Sequence, residues 1–503
     1  EILRCLVGSE MCIRDSFIIL NLGMKYLKYL TLIIFIAFVA SCSKDNDDDI
    51  IPPPEENTPA TLPQKELRGV WVTTAWGIDW PMEEYNATAQ KQKYIDYLDL
   101  LVENKMNAIF FQIRGMADAF YDSQYESWSK YITGTSGVKP SYDVLGFLIE
   151  EAHKRNIQFH AWLNPYRIST RANKNSSFPQ LDPKIPSELT KDYEKIRIYN
   201  PALPEVQTRI TQIVKEIITK YDVDGIHMDD YFYPALEASE SMNDNVEYEK
   251  YGKAQFDNIA DFRRNNVNVV IQNIQKTIIE TRPDVIFSIS PAANMDSNYN
   301  TLFADVKKWS KEGWVDVVIP QLYFATGTEE SSFNQRLNLW SQYIYENHLL
   351  VGYGVYKFGD PAYGSKFQSS EDLQKQFDFA KTKPKVKGSV LYSVKYLVEN
   401  KVRIMDVIRN VYKTPVLLPY LGRTIAEKPN TPTNVRVSGS NLSWSGVQAA
   451  YYAVYKDNGI NQIASLIGTT KDTTFKLNEK GTYFVTALNK KNAESDLSES
   501  VNY

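Results

Sequence analysis

The sequence predicts an α/β protein: a (β/α)8, TIM-like barrel followed by a small all-β sandwich. Three observations carry that assignment. Eight short β-rich runs alternate with amphipathic segments from residue 67 to residue 394. Several runs split by parity into an apolar and a polar face, as strands do when helices cover them outside and a barrel closes inside. From residue 432 the pattern changes to short alternating runs separated by turn residues.

The chain has 503 residues, more than one domain usually needs. Its formal charge of -5 provides no basic footprint, so nucleic acid is not an expected partner. Aromatic residues make up 13%, a composition compatible with sugar stacking as well as ordinary packing.

The first segment with a clear signature starts at Met24. "MKYLKYLTLIIFIAFVASC" places two lysines before an apolar run and ends on small residues ahead of Cys42. That pattern reads as a signal peptide over 24–41, too short for a spanning helix. Its "VASC" end resembles a lipoprotein box, which implies diacylation of Cys42 and a membrane partner through the lipid. Residues 1–23 precede this start and read as translated upstream or adapter sequence. Residues 42–64, acidic and then proline-rich, read as a flexible tether, with Asp47 to Asp49 a solvated spacer. Acidic residues just after such a cysteine resemble a surface-export signal. The expected location is therefore the bacterial envelope, at the outer membrane, facing either the periplasm or the surface.

Of three cysteines, Cys5, Cys12 and Cys42, a chain cut before Cys42 keeps only the lipid attachment point. No disulfide framework or cysteine metal site is then expected.

The barrel is expected over 65–415. Its strand runs are 67–74, 107–115, 157–165, 223–230, 284–291, 315–324, 349–358 and 386–394, and "KQKYIDYLDLLVENK", "DVLGFLIEEAHKRN" and "EVQTRITQIVKEIITKY" are among the helices between them. A doubly wound sheet is the rival, but it would more often carry a Gly-rich phosphate loop after its first strand, and none is present. Ile109, Phe111, Ile113, Phe159, Ala161, Leu163, Ile226, Met228, Phe287, Ile289, Val318 and Leu322 form the apolar parity. Gln112, Arg114, His160, Trp162, Asn164, His227, Asp229, Ser288, Ser290, Gln321 and Tyr323 form the opposite one. That set is expected to line the barrel near the C-terminal strand ends, where barrel enzymes hold their chemistry.

"VDGIHMDDYFYP" therefore ends on paired carboxylates at the rim of an expected active site. The long segment after it, "YFYPALEASESMNDNVEYEKYGK", is expected to shape a cleft, with Tyr231 and Tyr233 as ring-stacking candidates. Residues 416–431 are Pro-punctuated and read as a linker. The tail, 432–503, with Trp444 in an early strand and Tyr483 in "GTYFVTALN", resembles a fibronectin type III module with a spacer or binding role.

At "ELRGVWVTTAWGIDWP", "FFQIRGMADAFY", "HAWLNPYR", "DGIHMDDYFYP" and "IPQLYF", the chain resembles the glycosyl hydrolase-like 10 family of bacterial envelope lipoproteins over residues 65–415. The resemblance implies a glycoside hydrolase fold, and peptidoglycan glycan strands as the substrate class. Glycoside hydrolysis uses two carboxyl groups, one a proton donor and the other a nucleophile or base. Asp229 is the leading catalytic candidate. Asp230 is expected to supply the second role or hold sugar hydroxyls, provided the strand has ended by then, because adjacent strand residues point to opposite faces. Asp118 ranks first for the partner acid and Asp79 as a hydroxyl ligand, while no glutamate stands at an expected strand end. Arg114, His160, Trp162, Asn164, Arg167, His227, Gln321 and Tyr323 are the remaining candidates for substrate binding.

No cofactor is expected. Two competing functions stand beside the glycosidase: a noncatalytic glycan-binding lipoprotein using the same cleft, and a metal-dependent hydrolase built on His160, His227 and Asp229.

Overall fold

The computed structural model describes residues 60–424 and 426–503. The signal segment, Cys42 and the tether up to residue 59 lie outside the described residues.

Eight parallel strands close a barrel in sequence order: Leu67–Val72, Ala108–Arg114, Gln158–Leu163, Gly225–Met228, Ile286–Ile289, Val317–Val318, His348–Tyr353 and Val386–Leu391. Each expected run overlaps one of them, the seventh strand starting one residue early at His348. Closure pairs the first strand with the last, Leu67 opposite Gly388 and Val70 opposite Leu391.

Local chemistry sets the helices between the strands. Asn86 caps Ala87–Glu103 by accepting the Thr88 and Ala89 N–H groups, and Asp143 caps Val144–Lys154 through Gly146 N–H. Pro204 opens Pro204–Lys220, where its missing N–H costs nothing. The apolar parity residues all face these helices in one continuous core, which includes Ile109, Phe111, Phe159, Ile226, Met228 and Phe287. A second core of Leu67, Trp71, Ala108, Phe110, Trp162, Ile286 and Leu350 fills the barrel interior.

After the third strand the chain makes an excursion. Arg167–Thr170, Thr190–Asp192 and Ile196–Tyr199 form a small antiparallel sheet with the last of them in the middle. The long segment after the fourth strand is fastened to it, since Lys191 and Asn200 both bind Glu247. Arg263 holds the same segment from the following helix through a two-pronged pair with Asp244.

Two expected connectors are not loose. Within 416–431, Leu418 and Leu421 enter the barrel-interior core, and Arg423 grips Asp316 through two bonds of 2.8 Å. Of the expected tether, Thr61 bridges Ile463 and accepts the Ala464 N–H, while Ala60 and Leu62 pack on the C-terminal module. Buried leucines and a bidentate ion pair outweigh the local Pro-rich composition that suggests flexibility.

The module has a three-stranded sheet (Thr433–Ser438, Asn441–Ser445, Thr474–Lys476) and a four-stranded one (Tyr451–Asp457, Ser465–Thr470, Thr482–Leu488, Val501–Asn502). Trp444 packs edge-on against Tyr452, and the Tyr483 hydroxyl donates to the Glu479 carbonyl four residues upstream.

Candidate active site

The fourth strand ends at Met228, so Asp229 and Asp230 lie beyond its regular alternation. Both carboxylates can therefore serve one mouth. Asp229 is buried and Asp230 half-buried.

The third strand supplies the groups that hold Asp229. The Trp162 indole N–H donates to Oδ2 at 3.0 Å, and the Asn164 amide lies 3.4 Å from Oδ1 and 3.5 Å from Oδ2. Tyr231 N–H approaches Oδ1 at 3.4 Å. Burial, reinforced by the charge of Asp230, pushes Asp229 up to about 7, against the pull of Arg167, Trp162 and the Tyr231 N–H. Burial also raises Asp230, opposed by a hydrogen bond from Gln321 and the charge of Arg167. Burial thus disfavours the ionised form of both carboxylates, and the charge of Asp230 adds to the effect at Asp229.

Arg167 runs under the rim. Its backbone N–H donates to Asn164 Oδ1 and its Nε to the Gly115 carbonyl. The guanidinium lies 5.0 Å from the Trp76 ring centroid and 4.5 Å from that of Tyr231. Tyr231 is exposed at the mouth. Gln321 and Tyr323 are half-buried, with Gln321 donating to the Ser290 carbonyl and Tyr323 stacking on Tyr392. Asp118 is half-buried in the loop after the second strand, where Oδ1 accepts the Met116 N–H. The Tyr131 hydroxyl feels both its charge and that of Arg167.

Five of the expected ligands are enclosed by protein and held by internal contacts. Asp79 is fully buried and ties the ends of the first and eighth strands, accepting from Thr73 N–H at 2.6 Å and Ser393 Oγ at 2.7 Å. Arg114 is buried in a two-pronged pair with Glu126, which also accepts from the Tyr199 hydroxyl. Tyr233 is buried against Phe303 and Asn266.

His227 lies beneath Asp229. Trp71 Nε1 donates to its Nε2 at 3.0 Å, so that nitrogen is the acceptor, and Nδ1–H then faces Ser288 Oγ at 2.8 Å. Burial holds it neutral, with its pKa far below the usual histidine range. His160 stacks on Phe110 with centroids 4.3 Å apart, and burial lowers it to about 4. A side chain on Gly225 would collide with this ring, which explains the glycine inside the fourth strand. With both His227 nitrogens engaged and His160 packed on Phe110, the three-ligand set with Asp229 is not assembled. Among the described residues no cluster of three or more His, Cys, Asp or Glu comes together.

Sequence reasoning missed Trp76, Glu126, Tyr131 and Tyr392. Trp76 stands four residues past the end of the first strand, at a barrel-mouth position, and that placement was the available signal. Glu126 lies in a long loop, and nothing local marks it as the partner of Arg114.

An eight-stranded parallel barrel with two adjacent carboxylates at its C-terminal mouth defines the glycosidase-like class of (β/α)8 proteins. Within that class the chain belongs to the glycosyl hydrolase-like 10 family, which matches residues 66–369. It is similar to glycosyl hydrolase YngK of Bacillus subtilis (strain 168), 34% identical over 476 residues that cover 86% of this chain and 92% of that protein. It is also similar to glycosyl hydrolase DigH of Escherichia coli (strain K12), 31% identical over 410 residues covering 73% and 92% respectively. Among solved structures, the PgaB (BpsB) glycoside hydrolase domain from Bordetella bronchiseptica aligns with a TM-score of 0.45 at 11% identity, covering 69% of this chain and 98% of that one.

Proposed function

We propose that this chain is a glycoside hydrolase that cuts peptidoglycan glycan strands or a related envelope polysaccharide. The observation that carries the reading is the environment of Asp229: buried, beside a second carboxylate, and raised to about 7. A carboxyl in that state can donate a proton to a leaving glycosidic oxygen at neutral pH.

Asp229 is the proton donor in this reading and Asp230 the ionised partner. Burial, reinforced by negative charge on Asp230, keeps the proton on Asp229. The same charge is available to a developing oxocarbenium centre or to a water attacking it. Asp118, whose Oδ1 is engaged by its own loop at Met116, contributes at the rim rather than to proton transfer. Tyr231, Gln321, Tyr323 and the covered guanidinium of Arg167 surround the place where sugar would lie.

Export and attachment through a lipid on Cys42 complete the proposal. They rest on the signal-like segment and lipoprotein box of the sequence. Metabolic labelling with a palmitate analogue, lost in a Cys42→Ala variant, tests them.

A noncatalytic glycan-binding protein is the second reading, because a cleft of this polarity can hold sugars without cutting them. Turnover by the full chain that disappears in Asp229→Asn, with glycan binding retained, supports the enzyme. Equal binding with no turnover by either form supports the binding protein.

A further inference from the structure

Trp76 departs from its surroundings in three ways. It adopts a left-handed backbone conformation at φ 55°, ψ 15°, which a bulky side chain rarely takes. It is 49% exposed, the highest exposure of the nine tryptophans. Its ring lies over a cation that is itself almost wholly covered.

The surrounding residues enforce this conformation. Gln112, buried in the second strand, accepts the Thr74 and Ala75 N–H groups through Oε1, while Thr74 Oγ1 donates to the Gln112 carbonyl. The Tyr131 ring lies beside Gly77, the residue after Trp76. Ala75 sits close against Gly115, where any side chain would crowd it. Burial would account for a strained tryptophan that packed into the core, but half of this indole is left in solvent. By contrast, Trp71, Trp80, Trp162, Trp309 and Trp340 are buried and each donates its indole N–H internally. Strain at a barrel mouth, in a turn fastened by Gln112 and not repaid by burial of the indole, points to a ligand.

Arg167 supplies the position. Its guanidinium lies between Trp76 and Tyr231, and its charge acts on both Asp229 and Asp230. Two half-exposed rings bridged by a buried cation therefore form one layer beside the carboxylate pair. An indole face so placed matches the C–H face of a pyranose. The cation on its covered side polarises the ring system without offering itself to solvent.

We infer that Trp76 is a substrate-binding platform on which a sugar ring adjoining the scissile bond stacks, with Tyr231 and Arg167 completing the subsite. This inference rests on the glycosidase reading and adds a specificity-determining residue to it. Proton transfer is left to the carboxylates, so loss of the indole acts on KM more than on kcat.

The test compares the full chain with Trp76→Ala and Trp76→Phe on peptide-free peptidoglycan glycan strands, by steady-state release of fragments. Binding of the same strands is measured by calorimetry in the Asp229→Asn background, with and without Trp76→Ala. Thermal unfolding checks that each variant folds. The expected result is a KM raised about tenfold in Trp76→Ala, kcat changed less than about twofold, partial recovery in Trp76→Phe, and a matching loss of binding. Active wild type with an unchanged KM in folded Trp76→Ala overturns the subsite and leaves the glycosidase. Inert wild type whose binding is weakened by Trp76→Ala overturns the glycosidase and supports the platform. Wild type that neither cuts nor binds the strands overturns both.

Discussion

Trp162 donates its indole N–H to the Asp229 carboxylate across 3.0 Å, from the neighbouring strand of the barrel. That bond favours the ionised form and so restrains a pKa that burial and Asp230 drive upward. Removing it in Trp162→Phe lets Asp229 rise further. The alkaline limb of the kcat/KM profile should move to higher pH, and activity at neutral pH should fall about tenfold through loss of positioning. An unmoved limb would remove Trp162 from the control of Asp229.

The two carboxylates make opposite demands on pH. Asp229 must be protonated, so kcat/KM declines as pH rises through about 7; Asp230 must be ionised, so it declines again on the acid side. Asp230→Asn deletes the like charge beside Asp229. The expected result is a loss of about 10²- to 10⁴-fold in kcat and an alkaline limb displaced to lower pH. Asp118→Asn should lose less than about tenfold, on the strength of its engagement with its own loop. A larger loss in Asp118→Asn than in Asp230→Asn would exchange their roles.

Stability responds to the same group. The folded pKa of Asp229 lies above its ordinary value of 3.8, so its protonated form stabilises the fold fully below about 3.8, and that contribution is lost as pH rises through about 7. Asp229→Asn cannot ionise and keeps a neutral side chain there. Its melting temperature, relative to wild type, should therefore be higher at pH 8 than at pH 5. Calorimetric scans at both values check the sign, with Asp79, raised to about 6, providing a background common to both proteins.

Arg114 and Glu126 are both sealed from solvent. Glu126→Ala leaves an uncompensated guanidinium inside the mouth, with an expected destabilisation of about 3–5 kcal/mol. Denaturant unfolding measures it. A change below about 1 kcal/mol would mean that water reaches Arg114 and that the pair is not sealed.

Parity within strands made the barrel and its inner lining legible. Ile226 and Met228 face the helices, while His227 points inward, because a strand side chain has only two directions. Parity does not show depth, however. His160, His227 and Arg114 share the inward direction with Asp229 but are enclosed below or beside it. Partners from loops were invisible for a related reason: Glu126 meets Arg114 only after the fold brings distant segments together. The three-stranded excursion escaped because its strands are three or four residues long, too short for a period to register. Leu418 and Leu421 sit among turn residues, so composition suggested a linker where burial made a plug.

The most direct measurement incubates the full chain, beside Asp229→Asn, with peptidoglycan glycans bearing or lacking stem peptides, and analyses released fragments by mass spectrometry. A proton donor at Asp229 predicts fragments from wild type and none from the variant, which still binds the glycan. Equal release by both proteins, or release by neither from any glycan offered, would contradict a glycosidase working through Asp229.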